Sequence, residues 1–349
     1  MLKKILSAFL LFSVFINNFF FFKLYAYETN SLNTPWSYEK ANHLARKSLF
    51  WIDWENVKQL YQAWSAENAV NLLFPSLLWP LRDDFELKLQ TILNKPNFSV
   101  TNWDHMKSYY LVKKWNDPYQ AKAKLFTIFE DIFSVFQGSE ISYLDIENTH
   151  NMLYKHTLWS YKEMVKRNLY NNWESWDYSL GKFLDLFNQT NPSYPNENYS
   201  RELMQLFLML EYLPTESEDN GNTRNYSEED VNALAKILFW FESDENTHTV
   251  TYNKDKNTNK KVKFLDWNLK TWDSFPFYNE VTWEIDIQIL KNPINWNNWL
   301  PDNIIDYIFS KREYAISMFL ADRFYRFYIA ENPTRQELDT ISTKIIQNN

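Results

Sequence analysis

The segment PNENYSRELMQLF, residues 195–207, brings two carboxylates, a guanidinium and two amides into seven consecutive positions. Helical spacing puts Glu197, Asn198, Arg201 and Glu202 on one face, with Asn196 at its start. Three kinds of chemistry suit such a stripe. It is suited to cradling a sugar or a cation. It is equally suited to a solvated face with a Glu197–Arg201 pair, worth a few tenths of a kcal/mol. The third is a polar network that ties the helix to its neighbours. A hydrolase reading would use Glu197 or Glu202 as acid or base.

A second acidic pair, Glu130 and Asp131 in IFEDIF, has the oxygen chemistry of a hard-cation site such as one for calcium, or of exposed helix acids. There is no G-x-S-x-G, no H-E-x-x-H and no phosphate-binding glycine loop. The chain has no cysteine, so neither a thiol nucleophile nor a disulfide is available. No cofactor is expected.

The elements that must hold these residues are mostly helices. Tyr38, Ala41, Leu44, Ala45, Ser48 and Leu49 share one face of a first helix, and Asp53 and Ser65 are expected N-caps of the next two. Residues 101–104 read as a capping box before a helix through Val112. Single helices are expected over 119–136 and 147–170. Pro195 and Asn196 open an amphipathic helix with Tyr199, Leu203, Leu206, Phe207 and Leu210 inward.

Residues 214–225 read as a loop, and Ser227, Glu228, Glu229 and Asp230 as a second capping box ahead of Val231, Leu234, Ala235 and Leu238. The apolar alternation at 250–252 and 262–264 predicts a hairpin. Asp302 is expected to cap a helix containing Ile304, Ile305, Ile308 and Phe309, followed by another over 313–329. There is no strand–helix alternation, internal repeat or linker. The expected fold is mainly α, a single multi-helix domain over 27–349 with one small β-hairpin near 249–265.

At 349 residues, 45% hydrophobic and 23% charged, the chain has ample core for such a fold. Its formal charge of -8, with Lys and Arg interspersed among Asp and Glu, argues against nucleic acid as a partner. Residues 1–26 have the form of a signal peptide: Lys3 and Lys4, an apolar run over 5–16, and Leu24-Tyr25-Ala26 before Tyr27. The alternative is an uncleaved anchor, the one expected membrane contact. Either way the expected location is extracytoplasmic, secreted or in the cell envelope.

Glycine and tryptophan usage is anomalous. At roughly 7% usage about 24 glycines are expected, whereas there are 3, beside 16 tryptophans. The tryptophans occupy glycine-like settings such as LLWP, KKWNDP, TLWS and NNWES. One cause accounts for both counts: UGA codons written here as Trp and read in the cell as Gly. The opposing reading is a truly aromatic-rich, carbohydrate-binding protein.

Several landmarks together resemble the bacterial domain-of-unknown-function 1800 family. PNENYSRELMQLF is similar to its P-N-E-N-[FY]-A-R-E-L-x-E-L-F, and YSEEDVNALAKILFWF to its Y-T-E-x-D-V segment ending in T-G-W. The first helices, from ANHLARKSLFW onward, and the closing helices resemble it as well. Trp51, Trp64, Trp159 and Trp240 fall where the family pattern has Gly. His43 matches a family histidine, read with Arg46 and Lys47 as an interfacial hydrogen-bonding residue rather than a catalytic one. Where many members carry F-W-H-N-H-F this chain has IFEDIF, so no imidazole site operates there.

The resemblance implies export and genes often encoded beside that of a second exported protein, with no reaction established. The expected function is therefore a binding or assembly component with a functional surface at residues 196–202. The alternative is a secreted hydrolase acting on an extracellular polymer. The partner is unknown, with another exported protein or an extracellular polymer as the candidates.

Overall fold

Short polar side chains decide where the helices of this chain begin, and a computed structural model shows them in place. It describes residues 35–50, 52–74, 94, 99, 102–117, 119–133, 143–158, 160–169, 178–187, 189–191, 193–216, 224–239, 241–244, 249–252, 261–263, 278–279, 284–286 and 300–347. Ser37 accepts from the Lys40 N–H to start α1, Tyr38–Ser48. Asp53 and Asn56 exchange the two bonds of a capping box to start α2, Trp54–Gln62. Ser65 accepts from Asn68 to start α3, Ala66–Leu73. Each cap satisfies an N–H that the helix itself cannot, worth about 1 kcal/mol.

Asn102 caps α4, Trp103–Asn116, by accepting from both Asp104 and His105. Then come α5, Gln120–Ile132, α6, Tyr143–His156, α7, Tyr161–Leu169, and α8, Tyr178–Phe183. The single helix expected over 147–170 is thus two, because the chain turns at Thr157 and Leu158. Trp159 falls in this break, outside the described residues. Gly181 in α8 has a local reason to be glycine, since a Cβ there would meet the Phe187 ring at 2.1 Å.

Next come α9, Asn198–Glu202, a π-helix at Leu203–Leu208, and α10, Glu228–Leu238. Ser227 and Asp230 form the expected capping box at α10. The strands are β1, Phe241–Asp244, β2, Thr249–Tyr252, β3, Lys261–Lys263, β4, Tyr278–Asn279, and β5, Glu284–Asp286. The chain closes with α11, Leu300–Tyr328, and α12, Arg335–Gln347.

The fold class is as expected, mainly α, with strands at both places anticipated near 249–265. Their partners differ from the expected hairpin. β2 pairs antiparallel with β1, Asp244 opposite Thr249, while β3 pairs with β5. Closing β1 on β2 takes a short loop of ordinary hairpin length, a smaller entropic cost than spanning from β2 to β3. α11 likewise runs through both helices expected near 302 and 313, with a kink at Arg312 (φ -130°, ψ 24°). Arg312 donates to the Asn225 carbonyl at 2.6 Å. Asp302 lies inside α11 rather than ahead of it.

The chain divides into two compact units. The first comprises Met1–Asp131, Leu153–Ser160 and Leu320–Asn349. In it Ala41, Leu44 and Ala45 of α1 are buried, as are Val57, Leu60, Ala69 and Val70 of α2 and α3. Burying each Leu or Val contributes about 2 kcal/mol. The Trp36 indole N–H donates to the carbonyls of Leu60 and Tyr61, which end α2, at 3.3 and 3.2 Å.

The second unit comprises Ile132–Met152 and Tyr161–Phe319. Its core includes Phe133, Tyr161 and Phe207, with ring centroids 5.2 to 6.1 Å apart from Phe133. Among the described residues no helix is long and apolar enough to cross a membrane.

Candidate functional site

The polar stripe of residues 196–202 is built at the start of a helix that changes type after five residues. Asn196 donates its N–H to the Gln189 side chain at 2.8 Å, and its own amide oxygen accepts from the Asn198 N–H at 2.9 Å. This local turn launches α9 in place of a side-chain N-cap, which Glu197 does not supply. Beyond Glu202 the chain becomes a π-helix, in which the Met209 N–H reaches back to Met204 at 2.8 Å. The Tyr161 hydroxyl donates to the Phe207 carbonyl near the end of this segment.

The wider turn changes which side chains face inward. Tyr199, Ser200, Leu203, Met204, Phe207 and Leu208 are buried, as adjacent pairs recurring every fourth residue. Leu206, expected inward from an α-helical period, is exposed instead. Sequence periodicity cannot reveal this, because the π register is held by tertiary contacts such as that of Tyr161.

Arg201 is the centre of the stripe. Its guanidinium makes the expected i,i+4 pair with Glu197 at 2.7 Å and a bidentate pair with Glu228 at 2.8 and 2.6 Å. Glu228 is the first residue of α10, so the fork joins α9 to α10. The Arg201 hydrogen bonds hold the Glu228 carboxyl below its ordinary value. They likewise hold the guanidinium in its charged form, through Glu228 first and Glu197 second.

Glu202 makes no hydrogen bond or ion pair among the described residues. With Glu211, Glu228 and Arg201 it contributes to the field at the Tyr226 phenol, whose ionisation is pushed up first by burial and then by those acids. A neighbouring tie has the same chemistry. Arg224 meets Glu211 at 3.2 Å and the Tyr212 hydroxyl at 2.8 Å.

The structure therefore unites Glu197 and Arg201, keeps Asn196 as the residue that starts the helix, and leaves Asn198 and Glu202 half-buried beside them. Glu228 was missed as a member. Its signal was present in the capping-box segment YSEEDV, but a partner 27 residues away has no periodicity to announce it.

Glu130 and Asp131 belong to the first unit, where each faces a cation of the chain. Glu130 pairs with Lys114, although burial pushes its carboxyl upward against that pull. Asp131 meets Arg323 at 3.5 Å. Among the described residues no group of three or more His, Asp or Glu is gathered as a metal site. His43 lies exposed on α1, its imidazole lowered by partial desolvation and by Lys47 and Arg46.

Comparison with known proteins adds one match. The family described as "Protein of unknown function (DUF1800)" matches residues 38–349. No curated protein and no solved structure matches the chain.

Proposed function

The chain belongs to the DUF1800 family, and on that premise we propose that it is an exported binding or assembly component of the cell envelope or exterior. Its functional surface is the stripe at residues 196–202 together with Glu228. The observation that carries this reading is the closed fork at Arg201: two carboxylates share one guanidinium at 2.6 to 2.8 Å while all three remain partly exposed. Such a surface presents charges of fixed position to a partner. A hydrolase would instead need Glu197 or Glu202 free to act as acid or base, and Glu197 is tied to Arg201 at 2.7 Å.

Capture from envelope and culture fractions tests the proposal, with wild type and an Arg201→Ala, Glu228→Ala variant as baits. The expected result is a partner bound by wild type and lost by the variant while circular dichroism stays unchanged. A polymer-cleaving activity abolished by Glu202→Gln without loss of fold would overturn it. Residues 1–26 are read as the export signal. Recovery of full-length protein from the cytoplasm alone would remove that part.

The same proposal includes UGA read as glycine. Trp64 supports it: this residue sits in the turn between α2 and α3 with φ 63°, its side chain 85% exposed. A left-handed backbone costs a side-chain-bearing residue on the order of 1 kcal/mol and glycine almost nothing. Trp36, with its indole N–H bonded to two carbonyls, has the opposite character. Trp54 is helical and its ring lies 5.4 Å from that of Tyr38, so it lacks the signature of Trp64. Peptide mass spectrometry of the native protein is expected to find Gly at 51, 64 and 159 and Trp at 36. Tryptophan at those three positions ends the idea.

A further inference from the structure

Around the end of α1 in the first unit stand an imidazole and three cations that the surface stripe does not use. His43, Arg46 and Lys47 are spaced i, i+3 and i+4, on one face of α1. His43 and Arg46 are exposed and Lys47 is half-buried. Phe50, just beyond the helix, donates its N–H to the Gln120 side chain at 3.2 Å, which fixes this end of α1 against the start of α5. Lys124 of α5 completes the row. Its amine lies 4.8 Å from the centre of the Phe50 ring and 5.7 Å from that of Phe327 in α11. Two ring faces hold this ammonium in place without neutralising it.

The side chains of Arg46, Lys47 and Lys124 make no hydrogen bond or ion pair among the described residues. The acids further along the same helices are engaged elsewhere, Glu130 by Lys114, Asp131 by Arg323 and Asp322 by Arg326. Lys122, two residues before Lys124, is a contrast. Its amine lies 4.1 Å from the Tyr154 ring centre but has the pull of Asp117. That carboxylate is 4% exposed and accepts from the Tyr119 N–H at 2.7 Å and from the Tyr154 hydroxyl.

We propose that the row His43, Arg46, Lys47 and Lys124 is a docking surface for an anionic polymer that carries phosphate groups. Like charges held close together repel until a counter-charge arrives. The repulsion is visible twice: after burial, Lys47 and Arg46 lower the His43 imidazole, and Lys47 and Lys114 lower the Lys124 amine. An anion seated among them removes it, and the local field draws that anion in although the whole chain carries -8. The macrodipole accounts for Arg46 and Lys47 at a helix end. It does not account for Lys124, which comes from another helix. Helical rise puts about 10 Å between His43 and Phe50, so the row fits successive phosphates better than one free ion. The lysines offer compact charges that meet a phosphate oxygen from any side, and only Arg46 has a planar fork. This surface is independent of the Arg201 fork.

The test titrates the full chain with a short inorganic polyphosphate at constant ionic strength, with binding read by calorimetry and His43 by NMR. Wild type is expected to bind, and the bound phosphates should raise the His43 titration midpoint. Lys47→Gln combined with Lys124→Gln should weaken binding roughly tenfold as two phosphate contacts are lost. Lys58→Gln, at an exposed lysine of α2 paired with Glu55, should leave it unchanged. Absence of binding, or an unmoved His43 midpoint in the bound chain, overturns the proposal. So does equal affinity for monomeric phosphate, or tighter binding of polygalacturonate or a thymidine oligonucleotide. All of these are read on the wild-type chain, whatever the variants do.

Discussion

Two clusters in this molecule use nearly the same functional groups to opposite effect. At the surface of the second unit, Arg201 is shared between Glu197 and Glu228, and Arg201 and Glu228 are held in their charged forms. In the first unit, Asp117, Tyr154 and Lys122 meet in a buried place, and burial drives acid and amine toward neutrality. The difference is one of solvent and stoichiometry. A bidentate guanidinium in partial contact with water supplies donors for both carboxylates. A buried amine above a ring supplies none to Asp117, whose bonds come from Tyr119 and Tyr154.

Removing the buried acid should have the largest effect. Asp117→Ala leaves a backbone N–H and a buried hydroxyl without their acceptor, and should cost about 3 kcal/mol in chemical denaturation. A value near zero would mean that water reaches the cluster freely. Lys122→Met should have the opposite sign, stabilising the chain at pH 7 by about 1 kcal/mol because a desolvated ammonium is replaced by an apolar group of similar length. That gain should shrink as pH rises from about 8 toward the ordinary lysine value, where the native amine is already neutral. Arg201→Ala should cost about 0.5 kcal/mol, since exposed pairs are screened, and the loss should diminish in high salt.

The smallest effects are slopes of stability against pH in the acid range, and their signs differ. Glu228 is lowered in the fold, so its contribution is present above the ordinary carboxylate value and is lost as pH falls through the lowered one. Asp117 is raised, so the folded chain holds its proton more tightly and stability falls as pH rises through that window. Denaturation midpoints between pH 3 and 6 should therefore rise less steeply with pH in Arg201→Ala than in the wild-type chain, and more steeply in Asp117→Asn. Equal slopes in the two variants would erase the contrast.

What was legible in the sequence was local. The caps at Asp53, Ser65 and Ser227 require a polar side chain three residues from an open N–H, and all three were readable, whereas the box expected over 101–104 proves to be a cap by Asn102. The Glu197–Arg201 pair, one helical turn long, was readable too. What was not legible depends on distant partners. Glu228 reaches Arg201 across 27 residues, and Tyr154 reaches Asp117 across 37. The pairing of β3 with β5 and the break between α6 and α7 are likewise set by what surrounds them. The lowered basicity of Lys122 has no sequence signature, since it arises from burial.

The π segment has a consequence for a change of length at this point of the chain. A helix with a wider turn accommodates one residue more than its α-helical equivalent without moving its ends. The exposed Leu206 lies with Gln205 between the inward Leu203–Met204 and Phe207–Leu208 pairs, and is the one of the two more open to solvent. A chain lacking it would close the same span as an ordinary helix, with the aromatic and leucine still facing the core. Deletion of Leu206 is therefore expected to leave the inward pairs in α-helical register, while the charged turn just upstream keeps its place.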